Sequence, residues 1–125
     1  MKDSISDIFT RIRNASFIGI HIISVPNTKI HLKILEVLLR QGFINNFHQS
    51  KRSIVLTLKY TKNKPLINQI QRLSRPGCRI YVPYNQIPQI CGPLGIVLIS
   101  TSRGILTDRE ARKFSVGGEL LGFIA

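Results

Sequence analysis

Near its C-terminal end the chain sets three hydroxyl side chains in a row: Ser100, Thr101 and Ser102, at the close of the apolar run 96–99. Each hydroxyl can donate and accept a hydrogen bond and can rotate to suit its partner. Such a row can meet base edges, 2′-hydroxyls or phosphate oxygens on an irregular RNA surface. A tight turn, Arg103-Gly104, follows, and then a short segment carrying Arg109, Arg112 and Lys113. Gly117 and Gly118 permit close backbone approach and deliver Glu119 to a final apolar run. A carboxylate repels phosphate, so a glutamate among these cations needs a reason. It can accept from a base amino group or from a Ser or Thr hydroxyl. It can equally pair with Arg103 or Arg109 as structural support, and the residues leave both readings open.

The same residues make a poor enzyme. A serine nucleophile needs a base, and no histidine lies beyond His48. No G-x-S-x-G element is present, and the paired glycines lack the spacing and the Lys-Ser/Thr of a phosphate-binding loop. Asp108 and Glu110 belong to a helix start rather than to a metal cluster. His21, His31 and His48 are scattered without ligand spacing and read as structural or surface residues. Cys78 and Cys91 are too far apart for a compact CxxC element and are expected to be small buried thiols. No cofactor, metal or small-molecule substrate is expected.

Charge points the same way as the hydroxyls. The chain has 18 Lys plus Arg against 6 Asp plus Glu, a formal net charge of +12 over 125 residues. That excess repels itself in a compact state, and a polyanionic partner relieves it. The cations are spread along the chain rather than gathered in a tail, which assigns them to folded elements. A membrane partner is not expected: no apolar run reaches spanning length, and no long helix with an exposed apolar face and basic flanks is evident. The opening MKDSISDIF reads as neither a signal nor a transit peptide. The competing class is a generic basic RNA-binding or protein-interaction module without a specific RNA site, which weak, salt-sensitive affinity would favour.

The elements that must position these residues are legible in part. Ile5, Ile8, Phe9 and Ile12 form one helical stripe over 4–15, with Ser4 as N-cap and Asp7 closing a box-like cap. Arg11 and Arg13 lie off that stripe, suited either to the helix C-terminus or to phosphate. A strand over 21–25 ends at Pro26, Asn27 or Thr28 caps a core helix over 29–41, and Gly42 stops it. Lys29 and Lys33 on its polar stripe are candidate phosphate contacts. Residues 43–47 and 53–60 read as a hairpin with Lys51 and Arg52 at its tip. Residues 61–65 read as a linker, 66–73 and 78–82 as strands, and 84–87 as at most one helical turn. Thr107 and Glu110 form a T-x-x-E capping box for a helix over 108–114, and 119–124 is the last strand. The expectation is an α+β fold of two small packed α/β modules. Residues 1–62 form an N-terminal helix-strand-helix-strand-strand module, and 66–125 a strand-rich C-terminal module with a short helix.

Three stretches together carry a family resemblance: Asp7-Ile8-Phe9-Thr10-Arg11-Ile12-Arg13-Asn14-Ala15, then Arg72 through Val82 with Arg75-Pro76-Gly77, and Ser100 through Lys113 followed by Val116-Gly117-Gly118-Glu119. On these the chain closely resembles the small-subunit ribosomal protein S8 family, in its bacterial and organellar form, over nearly its whole length. The resemblance implies a structural protein that binds directly to the central domain of small-subunit ribosomal RNA early in assembly, with neighbouring small-subunit proteins as partners. It implies that Ser100, Thr101 and Ser102 contact the minor-groove face of an irregular helix and that Glu119 supports that contact. With Arg103, Gly104, Gly117, Arg109 and Arg112 they form the expected RNA surface; Lys29, Lys33 and Arg11 are the expected backbone contacts. The isoleucine- and asparagine-rich usage resembles a plastid version; a bacterial cytoplasm is the alternative.

Overall fold

The computed structural model describes residues 4–62, 64–75, 77–88 and 95–125. They divide into two compact units, one ending at Asn68 and the other beginning at Gln69. Three helices and antiparallel sheets make the fold α+β.

In the first unit, α1 (Ser4–Ile18) buries Ile8, Phe9, Ile12 and Ala15 along the stripe that the 3.6-residue period predicts. Its expected cap is not there: Ser4 already lies inside the helix, and the Asp7 carboxylate instead takes Arg11 Nε at 3.2 and 3.3 Å. The helix runs three residues past its expected end, to Gly19, whose φ of +92° suits a residue without a Cβ. After β1 (Ile22–Pro26), α2 (Lys29–Arg40) starts at Thr28, whose side chain accepts from His31 N–H at 3.2 Å. It buries Ile34, Leu35, Val37 and Leu38. His31 is buried too, its ring nitrogens each 2.8 Å from a carbonyl oxygen, of Pro26 and of Ser4, so it ties α1 to the end of β1.

Strands β2 (Ile44–Gln49) and β3 (Ser53–Leu58) form the hairpin, and β3 is central in the order β1-β3-β2. Ile54, Leu56 and Leu58 point inward, as the alternation requires. The Asn27 side chain donates to Ser50 O at 2.8 Å and accepts from Gln49 Nε2 at 2.9 Å, pinning the hairpin tip to the loop before α2. The expected linker at 61–65 is instead a small ribbon, β4 (Tyr60–Thr61) on β5 (Lys64–Pro65), and Leu66 N–H donates to Lys59 O at 3.0 Å. Residues 66–68 therefore stay with the first unit.

The second unit is built on β10 (Gly118–Ile124). One edge of β10 pairs with β8 (Ile96–Thr101), which pairs in turn with β9 (Gly104–Thr107). Its other edge takes β6 (Ile70–Arg72) and β7 (Tyr81–Val82) end to end. The two long strands expected over 66–73 and 78–82 are thus shortened to three and two residues. The Leu73 and Ser74 N–H groups still donate to Leu121 O and Leu120 O, and Leu120 N–H donates to Ile80 O. The chain therefore leaves β10 only in an excursion after Ser74, closed by the Arg75–Cys78 bridge and by the buried Ser74 hydroxyl, which accepts from Ile80 N–H at 2.8 Å. A bulge in β10 shifts the register between Leu120 and Gly122. It brings Leu120 and Phe123, three residues apart, opposite Ile99 and Val97, so that all four join one core cluster with Ala111. Cys78 is an exposed free thiol, against the expected burial, because the excursion carries it away from the sheet; Cys91 lies outside the described residues.

Candidate nucleic-acid interface

The short helix α3 (Asp108–Phe114) forms as its sequence dictates. Thr107 Oγ1 accepts from Glu110 N–H at 3.2 Å and Glu110 Oε1 accepts from Thr107 N–H at 3.0 Å, so the box is closed in both directions. Asp108 is buried, accepts from Val97 N–H at 3.4 Å and pairs with Arg112 Nη1 at 3.3 Å. Arg112 Nη2 donates to Ile87 O at 2.9 Å. The Arg112 guanidinium is therefore committed inside the unit, where it anchors α3 to β8 and to the 84–87 segment, which contains a 3₁₀ turn at Tyr84–Gln86. Arg109, one position into α3, is exposed.

The three hydroxyls do different things. Thr101 Oγ1 donates to Gly104 O at 2.8 Å and accepts from Arg103 N–H at 3.1 Å, so it is spent on closing the turn. Gly104 completes that turn with a φ of +107°, which disfavours any side chain. Ser100 and Ser102 have no hydrogen-bond partner for their hydroxyls among the described residues. Among the described residues every buried side-chain nitrogen or oxygen has a hydrogen-bond partner, so the unpartnered Ser100 hydroxyl is open to solvent. Two free hydroxyls two residues apart thus flank one that holds them in place.

Glu119 stands directly across from Ser100 on β10, and Tyr81 directly across from Glu119 on β7. Cross-strand partners share a face, so Ser100, Glu119 and the exposed Tyr81 lie in one row. The Glu119 carboxylate is 14% exposed and its ion partner is Arg79, at 3.9 Å. The cation beside it is thus Arg79, not the Arg103 or Arg109 that the sequence offered as one alternative. Arg79 sits two residues before Tyr81, whose β7 pairing with Glu119 brings it there. Arg103 instead lies over the Phe114 ring, 4.7 Å from its centroid.

Gly117 and Gly118 hold the row together. A Cβ on Gly118 would run into the Ser100 carbonyl, and one on Gly117 would meet Val82 O and lie 2.8 Å from Pro83 Cα. The obstacles are backbone atoms that cannot swing away. The paired glycines therefore let β10 approach β8 and the β7 end closely enough to set Glu119 against Ser100.

Arg11, Lys29 and Lys33 belong to the first unit. Arg11 is held by Asp7 and donates from Nη1 to Ser24 O at 3.1 Å. Lys29 and Lys33 are exposed, one turn apart on α2. Among the described residues no group of three His, Cys, Asp or Glu side chains could hold a metal, and no described helix is long and apolar enough to cross a membrane.

The family model for ribosomal protein S8 matches residues 3–124. The chain belongs to the ribosomal protein S8 family. It is 47% identical to the small ribosomal subunit protein uS8 of Synechocystis, across 98% of this chain and 96% of that protein. It is 46% identical to the uS8 of Phytoplasma australiense and 41% identical to that of Pseudoalteromonas atlantica, each across at least 98% of both chains. In this S8 chain, the hydroxyl turn follows directly on the Ser100–Glu119 row, and the paired glycines hold the strands of that row together. Arg112 braces α3 through Asp108 and Ile87 O.

Proposed function

We propose that this S8-family chain is a structural protein of the small ribosomal subunit that binds directly to the central domain of small-subunit ribosomal RNA and helps the subunit assemble. The observation that carries the reading is the pair of unpartnered hydroxyls, Ser100 across from Glu119 on the sheet and Ser102 in the turn just beyond, with Thr101 closing that turn and the two glycines holding the strands together. Short side chains held on strands can enter the shallow minor groove of an RNA helix, where 2′-hydroxyls and base edges are displayed. Glu119, with Arg79 offsetting its charge, is an acceptor for a base amino group or for the Ser100 hydroxyl. Arg103 and Arg109 supply charge at the margin, while Lys29 and Lys33 reach for phosphates from the other unit. Neighbouring small-subunit proteins are its protein partners.

The two units, meeting between Asn68 and Gln69 rather than at the 62–66 boundary read from the sequence, act as separate modules in this reading, the second carrying specificity. We assign the chain to a plastid ribosome, on its isoleucine- and asparagine-rich usage; cell fractionation that finds it in bacterial-type cytoplasmic ribosomes would reassign it.

The test is a binding titration with a small-subunit RNA fragment containing an irregular central-domain helix, against the same fragment with its internal loop scrambled. Tight binding that depends on the loop is expected, with affinity falling steeply as salt rises. Equal, weak binding to both RNAs would return the chain to a generic basic binder.

A further inference from the structure

Phe114, the last residue of α3, is 42% exposed, an unusual place for a phenylalanine. The Arg103 guanidinium lies above it at 4.7 Å from the ring centroid. Arg103 is also held at its other end, where its N–H donates to Thr101 Oγ1 and the next residue is fixed by its positive φ. Among the described residues its guanidinium N–H groups have no protein acceptor. This contrasts with Arg112, whose two outer nitrogens both donate inside the unit. An exposed arginine ordinarily loses much rotamer freedom when it binds. One lying over a ring has already lost part of it, and its guanidinium still offers a fork of donors matched to two oxygens of one phosphate.

We propose that Phe114 is a positioning residue for RNA: its ring holds the Arg103 guanidinium in place at the turn, so that the guanidinium takes two oxygens of a backbone phosphate. The inference rests on the reading that the Ser100–Glu119 face binds RNA. Phe114 itself need not touch the RNA. The chain of dependence runs from the Thr107–Glu110 box and the Asp108–Arg112 pair, which set α3, to the ring at its end, and from the ring to the cation at the turn.

The experiment measures the Kd of the full chain for the irregular-loop RNA fragment and its scrambled control. The proteins are wild type, Arg103→Ala, Phe114→Ala, Phe114→Tyr and the Arg103→Ala/Phe114→Ala double variant. Nuclear magnetic resonance of the free proteins reports the upfield ring-current shift of the Arg103 Cδ protons. Phe114→Ala is expected to erase that shift and to weaken binding about two- to fivefold. Phe114→Tyr should keep both, and the double variant should bind no worse than Arg103→Ala alone. Unchanged affinity in Phe114→Ala, beside a loss in Arg103→Ala, would overturn the positioning role. So would an equal further loss on adding Phe114→Ala to Arg103→Ala, since the ring would then act on RNA by itself. If wild type fails to prefer the irregular loop, the RNA reading falls and takes this inference with it; if wild type prefers the loop and only the Phe114 results fail, the RNA reading stands.

Discussion

The α2 face of the first unit and the Ser100–Glu119 face of the second are both polar, yet they are built in opposite ways. Lys29 and Lys33 are long, exposed side chains on a helix whose buried side does the structural work. They can be moved or replaced at little cost to the fold. On the second face the side chains are short, and almost every atom near them is committed. Thr101 closes the turn, Gly118 admits the Ser100 carbonyl, Asp108 and Arg112 brace the helix, and Arg79 balances Glu119. Mobile point charges give affinity that any polyanion satisfies, whereas fixed donors and acceptors discriminate among shapes. The comparison teaches where specificity is to be sought in this chain.

Gly118→Ala attacks the braced face hardest. The added methyl meets the backbone of β8 where β8 and β10 pair, so strain of about 3 kcal/mol is expected, read as a lowered urea midpoint, with loss of loop-dependent binding. A stable variant with normal RNA discrimination would show that the close approach is dispensable. Next comes Asp108→Ala, which strands the Arg112 guanidinium and frees the Val97 N–H. A loss of about 2 kcal/mol in chemical unfolding is expected. RNA affinity should change only as far as α3 loosens, which separates Arg112 as a brace from Arg112 as a contact. A variant that unfolds normally but binds poorly would make it a contact.

How much of this was readable beforehand follows from how local each cause is. The T-x-x-E box and the helix 108–114 were legible because capping is decided within four residues. The stripes of α1 and α2 were legible because burial repeats with the helical turn. The short β6 and β7 were not, since their extent is set by pairing with β10, some forty to fifty residues further along the chain. The Arg79–Glu119 pair was missed for the same reason: the strand register, not sequence distance, brings the two together. Thr101 looked equal to its serine neighbours because nothing in its type says that its hydroxyl turns inward to Gly104 O.

Lys33→Ala sharpens the other side of the comparison. It should weaken binding to matched and scrambled RNA alike and lower the salt slope by about 0.7–0.9, with the unfolding midpoint unmoved. An unchanged slope in a salt titration would remove Lys33 from the phosphate contacts.

The smallest effect belongs to Tyr60, whose hydroxyl donates to Ile20 O at 2.9 Å in the first unit. Burial raises its pKa, so the folded unit favours the neutral phenol. The corresponding stability is complete below the unfolded value of about 10 and declines as pH rises from there toward the folded value. The stability advantage of wild type over Tyr60→Phe should therefore shrink between pH 8 and pH 11. A constant difference in urea midpoints would contradict the assignment.

The most direct test of the central claim is the discrimination ratio of Ser102→Ala, its affinity for irregular-loop RNA divided by that for the scrambled control, measured across a salt series. A loss of about 1–3 kcal/mol on the matched RNA alone is expected, hence a lower ratio with the salt slope preserved. A ratio equal to that of wild type would contradict it, and would place specificity somewhere other than the hydroxyl turn.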